Sequence, residues 1–352
     1  MKALRGARAR GGAVVLAVLS LAVVWLLSQT RPWHALDGKA FDLITSLAAP
    51  RVADPAIVIL AIDEPTFAEL GRQWPFPRSL HARLLQRLQE DGARAVGFDV
   101  VFAEPTTASE DAAFAQAIAA GAPVVLAALR EKTESSQSTI WSEVLPLPQL
   151  RQAGADVGQV QVTPDDDFVV RRFPVEPDGW AQRLLARAGW TAAEGASDAG
   201  WIAYAGPRGT FDTRSYYQAL EPGLLPAGYF RDKVVLVGRA VRTDADLSGS
   251  HADMFNSPFS VADAGDRLFP GVEIQANLIA NLRGGTGLRA APQWAALCAV
   301  LSLCALLALV GARWHPGWAA GLAVLGASST WPISVGLYTQ GWWMAPVAPM
   351  AA

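Results

Sequence analysis

Runs of apolar residues of two lengths organise this chain. Gly11 to Thr30 and Ala290 to Ala312 carry no charge, and from Pro316 onward 37 positions pass without Asp, Glu, Lys or Arg. A membrane-spanning helix needs about 20 mostly apolar residues, so spans are expected over 11–30 and 290–312. The last run divides at "YTQG" (Tyr338 to Gly341) into a span over 316–337 and the start of another over 342–352. That final start is too short to cross, which implies that the natural chain continues. Shorter runs lie between the first two spans. "AIVILAID" (Ala56 to Asp63), "RAVGFDVVF" (Arg94 to Phe102) and "APVVLAAL" (Ala122 to Leu129) read as strands buried on both faces. Leu80, Leu84, Leu85 and Leu88 recur at helical spacing between the first two. "SEDAAFAQAIAAG" predicts a helix capped by Ser109 between the second and third.

This β-α-β-α-β order predicts an α/β fold with a mixed, largely parallel sheet flanked by helices. Further on, "VGQVQVT" and "FVVRRFPVE" predict a hairpin about "PDDD", and "WIAYAG" and "DKVVLVG" predict strands. "PGVEIQANLIANLRGG" predicts a helix that opens at Pro270, ends in two glycines and leads almost directly into the second span.

Charge sets the orientation. Lys2, Arg5, Arg8 and Arg10 precede the first span and place residues 1–10 in the cytoplasm. The length of that span and the lack of a cleavage site favour a retained anchor over a signal peptide. Residues 31–289 then form an outer domain, and Arg313 lies inside again. The outer domain holds 24 basic and 32 acidic residues, a formal charge of −8. That balance argues against nucleic acid as a partner and against docking on anionic lipid. Cys298 and Cys304 both fall in the second span, so the outer domain has no disulfide.

Asp63 and Asp99 close the first two strands, where ligands of open α/β sheets bind. They could hold a cation, a hydroxyl-rich ligand or an amine; equally, they could cap the following helices or pair with Arg78 and Arg94. The "WPFPR" loop (Trp74, Pro75, Phe76, Pro77, Arg78) could form a stacking wall or a lid over the strand ends. Arg78 opens a helix, where the dipole disfavours a cation, so a carboxylate partner is expected, Asp63 or Asp99 first. "TPDDDF" lacks calcium-loop spacing and reads as a solvated turn. His34, His81, His251 and His315 have no metal spacing. No nucleophile elbow, phosphate loop or dinucleotide fingerprint occurs. The residues therefore predict no catalytic group, no metal and no cofactor.

"FDLITSLAAPR", "IVILAIDEPTFAELGRQWPFPRSLHARLLQRLQEDGARAVGFDVVFAEPT", "YFRDKVVLVGRAV" and "FPGVEIQANLIANLRGG" together resemble the second class of CHASE domains. These are the cyclase- and histidine-kinase-associated sensory extracellular domains of bacteria. The likeness runs from Lys39 to Gly285, with W-P-F-P-R followed by H-A-x-L-L as its most specific element. It implies an inner-membrane, multi-pass protein: an N-terminal anchor, a periplasmic or extracellular sensor, then three membrane helices before a cytoplasmic adenylate or other nucleotide cyclase, histidine kinase or protein kinase. It implies a homodimer that receives an unknown small-molecule or protein signal. It carries Asp63, Trp74, Pro75, Pro77, Arg78, Asp99 and Asp244 onto family motif positions, and makes Asp63, Trp74, Arg78, Asp99 and Asp244 the ligand-binding candidates. The family's D-x-D-G-x-x-R hairpin has Asp165 and Asp167 here, but Phe168 in place of glycine. Two other readings stand beside the sensor. One is an extracytoplasmic metal-dependent enzyme using the Asp63/Asp99 pair with Glu64, Glu104 or Asp244. The other is a structural membrane subunit with the aromatic loop as a packing clamp.

Overall fold

The computed structural model describes residues 22–23, 25–121, 123–134, 139–174, 178–241, 253–260, 268–292 and 316–347. Two compact units divide the chain: one holds 49–287, the other everything N-terminal to it and from 288 onward.

The 49–287 unit is built on a seven-stranded sheet. Its strands are β1 (Ile57–Ile62), β2 (Ala95–Asp99), β3 (Val124–Glu134), β4 (Thr139–Val144), β5 (Asp156–Gln159), β6 (Asp212–Ser215) and β7 (Val234–Arg239). The order is β4-β3-β2-β7-β1-β6, with β5 also paired to β3. Every pairing is parallel except that of β3 with β4. The expected mixed, largely parallel sheet is therefore present. Strands β1 and β2 are neighbours in sequence but not in space, because β7 lies between them.

Alternation along the strands builds two cores. Val58, Leu60, Val96, Phe98, Val235 and Val237 face one side. There they meet α3 (Arg78–Glu90), α4 (Ala108–Ala119), α5 (Pro148–Gln152) and α7 (Tyr216–Leu220) through Leu84, Leu85, Leu88, Phe114, Ile118, Leu150 and Tyr216. Each fully buried leucine of α3 contributes about 1.5–3 kcal/mol of transfer free energy. Ile57, Ile59, Val125, Val234 and Leu236 face the other side, under α6 (Trp180–Arg187) and α8 (Gly271–Gly284). Gly97 and Gly158 lie directly beneath Trp180, where no side chain has room.

Local signals explain the helix ends. Thr107, not Ser109, caps α4, its side chain accepting from the Glu110 N–H. Pro270 precedes α8, and Gly285 closes it in the left-handed conformation (φ 62°) that glycine adopts without strain. The predicted hairpin about "PDDD" is corrected. Its first arm becomes β5, parallel to β3, and its second meets Asn256 and Trp201 through single bridges. "WIAYAG" is also corrected, since only Trp201 makes a bridge. Two short strands, β8 (Met254–Asn256) and β9 (Leu268–Pro270), pair antiparallel ahead of α8.

The second unit contains α1 (Arg31–Ala48), β10 (Arg289–Ala290), α9 (Pro316–Thr339) and β11 (Trp342–Trp343). Phe41 is buried there, its ring 5.0 Å from Trp343 and 6.2 Å from Tyr338. Of the spans expected over 11–30 and 290–312, only residues 22–23, 25–30 and 290–292 are among the described residues. Among the described residues no helix is long and apolar enough to cross a membrane. The structure forms the helix expected over 316–337, with Ser328, Ser329, Thr330, Pro332 and its glycines diluting its apolar content. It corrects the helical start at Trp342, where Gly341 (φ 83°) turns the chain and Trp342–Trp343 pairs in parallel with Arg289–Ala290.

Candidate functional site

At the carboxyl end of β1, Asp63 is the N-cap of α2 (Glu64–Leu70). Its carboxylate accepts from the Thr66 N–H (3.1 Å) and hydroxyl (2.7 Å) and from the Ser215 hydroxyl at the end of β6 (2.6 Å). It thus ties two adjacent strand ends together while starting a helix, a strong use for a charged acceptor.

Arg78 is 6% exposed and opens α3. Neither Asp63 nor Asp99 is its partner, which corrects the expected pairing. Its Nη2 donates to the Glu104 carbonyl (3.1 Å), Nε lies 3.8 Å from Asp111, and the guanidinium sits 4.5 Å above the Phe102 ring. Burial lowers its pKa, and Asp111, Glu104 and Glu110 act against that. The anion that α3 needs at its positive end comes from α4, where Glu110 accepts from the Ser79 N–H (2.6 Å) and hydroxyl (3.0 Å).

Phe76 is buried within a shell that includes Phe67, Trp74 and Tyr216. Trp74 is partly buried, and its peptide bond to Pro75 is cis. The loop is thus a packed lid at Phe76, and at Trp74 a wall with a face toward the strand ends. Arg239, the last residue of β7, lies over the Trp74 ring at 5.8 Å and donates to Asp253 at 3.2 Å.

Asp99 ends β2 opposite Gly238. Burial pushes its carboxyl up to about 7, and the nearby Asp253 carboxylate adds to the rise. The structure therefore brings together Trp74, Arg239, Asp253 and Asp99, while Asp63 stands apart. With β7 intervening and Asp99 level with Ala61, the backbones of Asp63 and Asp99 are about 12 Å apart, two strand spacings across and two residues along. The carboxylate pair of the sequence reading is two separate sites. Asp244 lies outside the described residues. Among those described, no three His, Cys, Asp or Glu side chains gather as a metal ion would need.

Arg239 and Asp253 were not anticipated. Arg239 follows the buried run "VVLVG", the same strand-end position that drew attention to Asp63; Asp253 lies in an irregular segment with no such signal. The "TPDDDF" turn is corrected too. Asp165 and Asp167 hold Arg171, whose side chain is 1% exposed, through Nη1 at 2.6 and 2.8 Å and Nη2 at 2.7 Å.

A family model for the CHASE2 domain matches residues 16–312. The chain belongs to the CHASE2 family. CHASE2 domains are extracytoplasmic sensor domains. No curated protein and no solved structure matches the chain. In this CHASE2 domain, W-P-F-P-R builds the aromatic shell, and Asp165 and Asp167 clamp the buried Arg171 at the position of the D-x-D-G-x-x-R pattern. Phe168 occupies the glycine position with φ 60°, a backbone conformation glycine adopts freely.

Proposed function

We propose that the chain is the sensor module of a bacterial membrane receptor, anchored in the inner membrane by helices that flank a periplasmic domain. It receives a small-molecule or protein signal at the carboxyl end of the sheet and passes it to a cytoplasmic cyclase or kinase. It performs no catalysis of its own, works as a homodimer in the lipid bilayer and does not bind nucleic acid. The −8 charge of residues 31–289 supports the last point.

The observation that carries the relay is the course of α8. Its first residue donates to the Asp253 carbonyl (2.7 Å) beside Asp99, and Val272 packs on Gly238 of β7, where an added Cβ would stand 2.6 Å away. Its 14 residues then run about 21 Å to Gly285, a few positions before the expected span over 290–312. Near that end, Arg283 holds Asp54 at 2.7 Å and lies 3.9 Å from the Trp190 ring. A signal that favours one seating of α8 shifts the populations of two arrangements of the helices that follow.

Orientation is tested by cysteine labelling in a background without Cys298 and Cys304. A membrane-impermeant maleimide should label a cysteine at exposed Asp232 in intact cells, but not one at Arg313. The reverse pattern would overturn the reading. The relay is tested by fusing the chain to a cytoplasmic cyclase reporter. Arg283→Ala should change output at least twofold while Arg130→Ala, at a surface pair, leaves it unchanged; equal outputs would refute the relay.

A further inference from the structure

Beside Asp63, on the sheet face covered by α8, lies a cavity of about 90 Å³. Ile59 and Ala61 of β1 form apolar lining, Asp63, Arg208 and Glu273 contribute charge, and exposed Thr213 marks its edge. A water molecule needs roughly 10–15 Å³ of such space. The cavity thus holds on the order of six waters, or a ligand of about six non-hydrogen atoms.

Its charges are placed by construction. Arg208 and Gly209 are the middle residues of a turn closed by the Thr210 N–H on the Pro207 carbonyl (3.1 Å), and Gly209 has φ 79°. A type II turn requires that conformation at its third residue. The turn is latched at both central residues. Arg208 Nη2 donates to the Ala240 carbonyl (3.1 Å), and the Gly209 N–H donates to Glu273 Oε1 (2.8 Å). Glu273 is 3% exposed and lies in the first turn of α8, so the positive end of that helix borders the cavity as well.

Positive and negative groups therefore face one small volume. Arg208 brings a planar guanidinium, one of whose five donors is engaged by the Ala240 carbonyl. Asp63 accepts three hydrogen bonds of the about four a carboxylate can take, leaving room for one more donor. A simple anion meets Asp63 and Glu273, and a simple cation meets Arg208 and the helix end. A ligand carrying both charges on adjacent atoms satisfies both sets, and the apolar lining takes a short side chain.

We infer that this cavity is the binding site for a small zwitterion, an α-amino acid no larger than serine, with its carboxylate toward Arg208 and its ammonium toward Asp63 and Glu273. For its purpose the inference rests on the sensor reading; its chemistry rests on the cavity alone.

The test is thermal unfolding of the purified full chain in detergent with glycine, L-alanine or L-serine. Lactate and alaninol, which each lack one charge of alanine, serve as controls, and L-phenylalanine tests size. At ten times the dissociation constant, at least one of the three amino acids should raise Tm by about 3–6 °C, with lactate, alaninol and phenylalanine at least tenfold weaker. Arg208→Gln should abolish the shift. Because Arg208 also latches its turn, Thr213→Trp serves as a second variant; it blocks the cavity edge from an exposed position and should abolish the shift in a folded protein. No shift with any of the three amino acids, or a shift that survives Thr213→Trp, would overturn the site. Lactate binding as tightly as alanine would overturn the zwitterion. Neither result touches the maleimide topology or the reporter output, so the sensor reading stands or falls separately.

Discussion

The Tyr216 hydroxyl and His81 Nδ1 lie 2.9 Å apart inside a shell of aromatic rings, and burial holds the His81 pKa down at about 3, with Arg78 adding to the fall. Its unfolded value is about 6.5, so protons favour the unfolded chain and stability declines as pH falls from about 6.5 toward 3. Asp99 acts in the opposite sense. Its folded value of about 7 lies above the ordinary 3.8, so the folded state binds the proton more tightly and stability rises as pH falls from about 7 toward 4. The two effects oppose each other over much of one window. Urea midpoints at pH 7 and pH 4.5 should therefore show Asp99→Asn becoming more acid-sensitive than the parent, and His81→Phe less so. Parallel pH profiles for both variants would remove the assignment. Asp165, Asp167 and Arg171 give a second case. Arg171→Met leaves two partly exposed carboxylates without their buried cation and should cost about 1 kcal/mol. Phe168→Gly relieves a left-handed backbone and, after the entropy glycine adds to the unfolded chain, should gain about 1 kcal/mol. Both are read from the same urea midpoints. The buried place of Arg171 was only faintly legible, because "FVVRRF" puts two arginines in an apolar register and nothing in it says which one turns inward.

Among the elements, buried apolar strands were legible, whereas a segment satisfied by side chains and a polar edge strand were not. β1, β2, β3 and β7 are apolar runs flanked by turn or helix signals, and each formed close to its expected place. "WIAYAG" has the same look but pairs with no strand. Its Ala203 N–H donates to Asn281 Oδ1 (2.9 Å), its Ala203 carbonyl accepts from Asn281 Nδ2 (2.9 Å), and its Ala205 N–H donates to Asn277 Oδ1 (2.8 Å). Two asparagines of α8 thus do the work of a neighbouring strand. Asn281→Leu should cost about 1–3 kcal/mol by orphaning buried backbone groups, more than the surface change Arg183→Ala, as chemical denaturation would show. β6 was missed for the converse reason: "DTRS" is polar because an edge strand with Thr213 and Arg214 exposed needs no apolar run. The candidate site was legible where it falls on strand ends. It was illegible in its pairing, since sequence order says nothing of β7 entering between β1 and β2.

For the whole molecule, the parallel sheet joins distant stretches of sequence, and α8 returns from residue 271 to cover a face that β1 began at residue 57. The outer unit carries no disulfide to hold such connections, since both cysteines lie at 298 and 304. Its integrity rests on the two cores and on clamps such as Asp63 with Ser215 and Arg283 with Asp54. The intercalated β7 also dictates a timetable. It is the last strand of the main sheet to be synthesised and the one that fills its middle, so β1 and β2 emerge with open edges and must wait for more than a hundred residues. Such late, long-range closure folds slowly and leaves sticky intermediates. A chain ending before Val234 should accordingly aggregate, while one extending through α8 stays soluble once its hydrophobic ends are shielded, an outcome that a sedimentation assay on a truncation series would read directly.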